Sequence, residues 1–279
     1  MSAGERLLKR AGLYKYWSLF RIRLLNGLQY RAAAVAGMVT QFFWGTMEIL
    51  IFSAFYQGNP EHFPMQMQAL SSYIWLQQAF LMLFDGWSCE QQIFELITSG
   101  NVAYELCRPV DLYKLWFARS AAFRLSRAAL RFFPVLAVAS LLPAPYGLSL
   151  PESPAAFGFF LLSMLLGFLL NLSHIMLLYI LTFFTIDSRG VRMLTSALHD
   201  LFSGAIIPLP FLPGGLRAVA EWLPYAGMQN MPLRVYSGDI AGAALIRGLL
   251  LQLFWLLIFC ALGKWLIHKA LRRAVIQGG

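Results

Sequence analysis

Residues 155–185 read AAFGFFLLSMLLGFLLNLSHIMLLYILTFFT, and no Asp, Glu, Lys or Arg interrupts them. A run of this length exceeds the roughly 18 apolar residues that mark a membrane span, and it leaves room for tilt. Working outward, further apolar runs lie near 32–56, 68–86, 118–142, 193–211 and 242–267. The first ends at the turn signal Gly58-Asn59-Pro60, and the second near Asp85-Gly86. The fifth is broken by Pro208, Pro210 and Pro213, which cannot continue a regular helix. Six runs predict an all-α polytopic membrane protein with six transmembrane helices.

Composition agrees. Hydrophobic residues fill 59% of the 279 positions and charged ones 13%, against about 25% charged in a soluble domain. The chain has no room for a separate soluble catalytic domain, because its longest polar connections are short. A net charge of +9 raises nucleic acid as a partner, but orientation in an anionic membrane accounts for it. Cys89, Cys107 and Cys260 show no metal-ligand spacing and no disulfide framework.

Lys and Arg fix the expected sidedness. Seven precede the first run, six lie between residues 85 and 131, Arg189 and Arg192 precede the fifth run, and Lys264, Lys269, Arg272 and Arg273 follow the last. The opposite connections hold only Arg217 and Arg234, with Arg247 just inside the sixth run. The positive-inside rule then places both termini in the cytoplasm. Arg119, Arg124, Arg127 and Arg131 occupy the inner half of the third run. They either snorkel to headgroups or mark a later start of the span. Residues 1–31 form a cytoplasmic amphipathic interfacial segment: Leu7, Ala11, Tyr14 and Ser18 share a face, and Arg6, Lys9 and Arg10 lie on another. Residues 32–279 form the six-helix domain.

Two connections carry more structure than loops need. Residues 88–115, SCEQQIFELITSGNVAYELCRPVDLYKL, hold a stripe of Ile93, Phe94, Ile97, Val102 and Leu106. Gly100-Asn101 offers a break after the first helix, Arg108-Pro109-Val110 halts the second, and Asp111 caps the next. Such a short amphipathic helix is a knob that a cytoplasmic partner can push. Residues 203–238 alternate short apolar stretches with prolines, as re-entrant helices do, with Trp222, Tyr225 and Tyr236 at an interfacial belt.

The chain resembles the ABC-2 type permeases of ATP-binding-cassette exporters. The resemblance rests on Ile97-Thr98-Ser99-Gly100-Asn101-Val102 leading to Leu106-Cys107-Arg108-Pro109-Val110. Phe202-Ser203-Gly204, Ile206-Ile207-Pro208-Leu209, Leu212-Pro213, Leu223-Pro224-Tyr225, Pro232, Tyr236 and Gly238 complete it. It implies an N-terminal elbow helix, a coupling helix around residues 90–103, and an outer re-entrant gate built on Pro208, Pro210 and Pro213. Gln91, Gln92, Glu95, Ile97 and Gly100 would meet the ATPase. It further implies two copies of a separate ATPase carrying ATP and Mg, a second permease, identical or homologous, and a bacterial inner membrane. No cofactor is expected on this chain, which has no G-x-x-x-x-G-K-[ST] phosphate loop.

Polar groups within the runs are candidates for a cargo path. These are Glu48, Asn171 and His174, with Phe43 and Trp75 as aromatic lining beside Phe42 and Trp44. Asn171 and His174 stand at i and i+3, on one helix face. The expected cargo is an amphipathic small molecule, drug, antibiotic or lipid-like compound. Two other readings compete. An ion-coupled secondary transporter would want an internal repeat, and a lipid-modifying membrane enzyme would need more than His199-Asp200.

Overall fold

The computed structural model describes residues 3–185 and 188–272, and for residues 3–11 and 13 the backbone alone. The two helix faces read from Arg6, Leu7, Lys9, Arg10 and Ala11, and the basic residue Arg273, lie outside the described side chains. Among the described residues every regular element is helical. Helices α1 (Ala3–Gly27) and α2 (Arg31–Gly58) are followed by α3 (Met67–Ala79) and α4 (Leu81–Phe84). Then come α5 (Gln91–Thr98), α6 (Val102–Leu106), α7 (Leu112–Ala129) and α8 (Phe132–Leu141). Helix α9 (Pro154–Leu181) precedes α10 (Ser188–Phe202), α11 (Gly214–Trp222), α12 (Pro224–Met228), α13 (Asn230–Tyr236) and α14 (Gly242–Leu271).

Among the described residues, three helices are long and apolar enough to cross a bilayer: α2, α9 with its 3₁₀ extension to Phe184, and α14. The remaining apolar runs are not single helices. Residues 68–86 are divided between α3 and α4 at Phe80, and residues 118–142 between α7 and α8. Pro134 supplies the cause of the second break, since it cannot donate to the carbonyl of Leu130 and crowds it. The run at 193–211, apart from a single 3₁₀ turn at Leu209–Phe211, is α-helical only to Phe202. There Gly204 adopts φ +78 and its carbonyl accepts a hydrogen bond from the Tyr73 hydroxyl (3.3 Å). An added Cβ would stand 2.5 Å from that oxygen, so the turn requires glycine.

The arginines of α7 decide how these pieces hold together. The sequence allowed them to snorkel, but two of them turn inward: Arg119 is 5% exposed and Arg124 1%. Arg124 donates through Nη1 to the carbonyls of Met82 (3.2 Å) and Leu83 (3.3 Å). Its Nη2 donates to the carbonyls of Asp85 (2.9 Å) and Ser88 (2.7 Å), with the Asp85 carboxylate at 3.5 Å. One guanidinium therefore closes the carbonyl end of α4, where a helix leaves acceptors unpaired and the dipole favours a cation. The Asn171 amide donates to the Leu83 carbonyl (2.8 Å), bringing α9 to the same point.

Two apolar clusters flank this clamp. The larger joins α3, α4, α8, α9 and α13 around Tyr73, Trp75, Phe84 and Leu172. The second, at the basic end, joins α5, α7, α9 and α14 around Ile93, Phe94, Trp116, Tyr179 and Ile267. At the opposite end the connection after α8 folds back onto α3: Trp75 Nε1 donates to the Tyr146 carbonyl (2.8 Å) and Gln68 Nε2 to that of Gly147 (2.9 Å).

Arg124→Leu is expected to destabilise the protein by about 3–5 kcal/mol, since it removes the one guanidinium that four carbonyls and a buried carboxylate share. Thermal unfolding in detergent measures this, and Arg124→Lys should recover only part of the loss. An unshifted unfolding midpoint for Arg124→Leu would show that α4 closes without it.

Candidate functional site

At the basic end, α5 and α6 form a projecting pair of short helices. The spacing of Ile93, Phe94 and Ile97 puts all three on the buried face of α5, while Gln91, Gln92, Glu95 and Thr98 are exposed. Phe94 meets the Tyr179 ring edge-on at 4.9 Å between centroids. Gly100, with φ +75, ends α5 and lets the chain re-enter as α6. The Asp111 carboxylate accepts from the Lys114 amide (2.8 Å), capping α7 as the sequence predicts. Of the stripe read from sequence, Leu106 instead faces out, at 39% exposure.

A buried ionic cluster welds the pair to the long helices. Arg119 of α7 donates to both oxygens of Glu90 (Nη2–Oε1 2.7 Å, Nε–Oε2 3.3 Å) and to Glu105 Oε1 of α6 (2.9 Å). Trp116 Nε1 donates to the other Glu105 oxygen at 2.6 Å. Arg23 of α1 reaches Glu90 at 3.3 Å, and the Tyr179 hydroxyl of α9 accepts from the Glu90 amide at 2.8 Å. Arg192 of α10 donates to Gln91 Oε1 (2.9 Å) and lies over the Phe94 ring. Helices α1, α5, α6, α7, α9 and α10 thus meet at one small patch. Two carboxylates share Arg119 with every oxygen hydrogen-bonded, the condition under which buried ions are tolerated.

The residues singled out from sequence fall in three places. Gln91, Gln92 and Glu95 present one polar surface of α5, and Gly100 sits beside it. Ile97 does not: at 9% exposure it belongs to the core beneath, because its spacing from Ile93 points it inward. The expected path residues are not brought together. Glu48 lies on the α2 face against α3, with Oε1 buried and without a partner. Trp75 is buried in the nearby core, and Phe43 points away at 69% exposure. Asn171 binds the Leu83 carbonyl. His174 lies among the rings of His199 (6.5 Å), Tyr225 (5.4 Å) and Phe259 (6.0 Å). Among the prolines, Pro208 and Pro210 are buried and Pro213 is exposed.

Those prolines open a second structured region. Helix α11 is largely exposed, whereas α13 is enclosed by α3 and α9. Gln252 of α14 donates to the carbonyls of Gly227 (2.7 Å) and Ser163 (3.0 Å), pinning the hairpin to α9. Glu221 accepts from Arg234 (2.8 Å) and Arg217 (3.0 Å), and Arg234 also binds Asp239. Burial pushes the Glu221 carboxyl up, but hydrogen bonds from Arg234 and Arg217 outweigh it and hold the group below its ordinary value.

Sequence reading missed Glu90, Glu105, Trp116, Arg119 and Tyr179 as a unit. The available signal was the presence of the acids Asp85, Glu90 and Glu105 shortly before Arg119 and Arg124, which offers each arginine a carboxylate partner. No group of three or more metal-binding side chains occurs among the described residues.

A family model described as ABC-2 family transporter protein matches residues 39–278. No curated protein matches the chain.

Arg119→Gln and Glu90→Gln should each destabilise, and their double variant should show a coupling of about 1–3 kcal/mol in a thermodynamic cycle. Additive effects would remove the direct interaction. For the hairpin, Glu221 contributes stability above the ordinary carboxylate value of 4.5 and loses it as pH falls through its lower folded value. Hydrogen-exchange protection across residues 214–239, corrected for the intrinsic pH dependence of exchange, should fall on acidification, and Glu221→Gln should abolish that change in protection.

Proposed function

The chain belongs to the ABC-2 family of transporter proteins, and from that premise we propose that it is an exporter permease driven through α5. Its family is a membrane-embedded transport subunit whose ATPase activity resides in a separate ABC subunit. The reading taken further is this. Six spans cross a bacterial inner membrane, with α3–α4, α7–α8 and the α10 region as the three interrupted ones. Both termini and the α5–α6 pair lie in the cytoplasm, α1 is an elbow on the inner leaflet, and α11–α13 is an outer re-entrant gate. Two permeases, identical or homologous, pair beside two ATPase copies. An amphipathic compound leaves the cell as the spans rock between inward- and outward-open states.

One observation carries this reading: the exposed polar face of α5 sits on a cluster that reaches α1, α7 and α9 through Arg119, Glu90 and Tyr179. A push on Gln91, Gln92 and Glu95 has no soft loop to absorb it. Nucleotide-driven closure of the ATPases would therefore move long helices rather than bend a linker. Ile97 supports the knob from below and does not meet the partner. Of the residues expected along the cargo path, Phe43 is exposed on α2 where a paired permease can face it, whereas Trp75, Asn171 and His174 are buried within this chain and would reach cargo only as the spans move.

Glu95→Lys is expected to insert and fold normally, while the ATPase recovered with it in mild detergent falls about tenfold and export is lost. Undiminished recovery would remove Glu95 from the contact. Sidedness has its own measurement. Cys107 is exposed at the end of α6, so a membrane-impermeant maleimide should modify it only in opened cells, in a Cys89→Ser/Cys260→Ser background. Labelling of Cys107 in intact cells would put the docking face outside and sink the reading.

A further inference from the structure

Arg127 and Arg131 do not join the buried clusters of Arg119 and Arg124. They line a cavity of about 480 Å³ between the α1–α2 junction and the α7–α8 break, with Gly27, Tyr30, Ala34 and Phe123. No Asp or Glu is among the lining residues. Arg127 lies over the Phe123 ring at 3.9 Å. Arg131 has only a long hydrogen bond to the Ala33 carbonyl (3.4 Å), and its Nε is buried without a partner. The nearest acid on an adjoining element, Asp85, is already engaged by Arg124 and by the Ser88 amide (2.7 Å).

The backbone is shaped around these two cations. A Cβ at Gly37 would stand 2.3 Å from the Arg131 guanidinium carbon. One at Gly27 would stand 2.1 Å from the Ser126 hydroxyl of α7. Both glycines therefore hold the elbow and the first long helix close to α7 while leaving room for the side chain.

We propose that this cavity binds the phosphodiester headgroup of an anionic glycerophospholipid from the leaflet that faces α1. Two guanidiniums without carboxylate partners match a phosphate in charge and in fork geometry. Their place beside the first turn of α2 sets them at headgroup level, and Phe123 and Leu130 add apolar lining beside them. Such a lipid would fill the notch at the α7–α8 break and hold elbow and spans together. The assignment rests on the membrane placement above for which leaflet supplies the lipid, but not on the ATPase.

The test uses the purified full chain in detergent. Phosphatidylglycerol and phosphatidylcholine with the same acyl chains are offered in equal amounts, and retained lipid is counted by native mass spectrometry. The wild type should retain phosphatidylglycerol with a preference on the order of tenfold, and Arg127→Gln/Arg131→Gln should bring the ratio near one. Should that variant fail to fold, a photoactivatable phosphatidylglycerol on the wild type should crosslink to peptides containing Tyr30 or Phe123. Equal retention of both lipids by the wild type, crosslinks confined to other segments, or a variant that keeps the preference would each overturn the site. Displacement of phosphatidylglycerol by millimolar inorganic phosphate would overturn the lipid as occupant in favour of a free anion. None of these readouts depends on Cys107 labelling or ATPase recovery, so the two readings fail separately.

Discussion

A guanidinium buried among helices must have all of its charge answered, and the arrangement of this protein follows from how Arg119 and Arg124 meet that demand. Arg124 is answered mostly by carbonyls at the end of α4, and Arg119 by two glutamates. The first closes an interrupted helix that otherwise leaves acceptors facing hydrocarbon, the condition that forbids loose backbone inside a membrane. The second fastens a projecting pair of helices to the bundle. Both come from α7, so one helix fixes the break above and the knob below. Replacing either arginine by an apolar residue of similar volume does not restore a core, because the partners left behind are polar.

This division of labour explains what composition and periodicity disclosed and what they did not. The runs that became α2, α9 and α14 were legible because few charged residues interrupt their long apolar patterns. The cap at Asp111, the pause at Gly100 and the end of α2 at Gly58 were legible because local chemistry decides them. The inward turn of Arg119 and Arg124 was not, since it depends on acids 14–39 residues away in sequence. A hydropathy window sees four arginines in one run and can only send them outward. The burial of Ile97 was in the stripe all along, but a family motif drew attention to its position rather than to its side. Phe43 shows the opposite case: an aromatic on a long helix looks like lining until a neighbour is required for it, and among the described residues it has none within the core.

The two structured connections use contrasting chemistry. The α5–α6 pair is held by ions and one indole, sits on an aromatic floor of Phe94, Trp116 and Tyr179, and presents a polar face. The α11–α13 hairpin is held by Gln252 on the Gly227 carbonyl, by the Tyr73 hydroxyl on the Asn230 side chain, and by a salt-bridge triad at its rim. An ionic weld keeps its geometry under load, whereas amide-to-carbonyl bonds can exchange one acceptor for the next.

Helix α9 runs between these ends without a break. Near its finish Tyr179 receives the amide of Glu90, and near its middle Gly167 lies so close to the Met228 carbonyl that a methyl group would not fit (2.2 Å). A continuous helix of 28 residues is about 42 Å long and resists compression along its axis. If the knob is driven as proposed, such a rod carries the displacement to the hairpin, so that how far one end travels fixes the stroke delivered to the other.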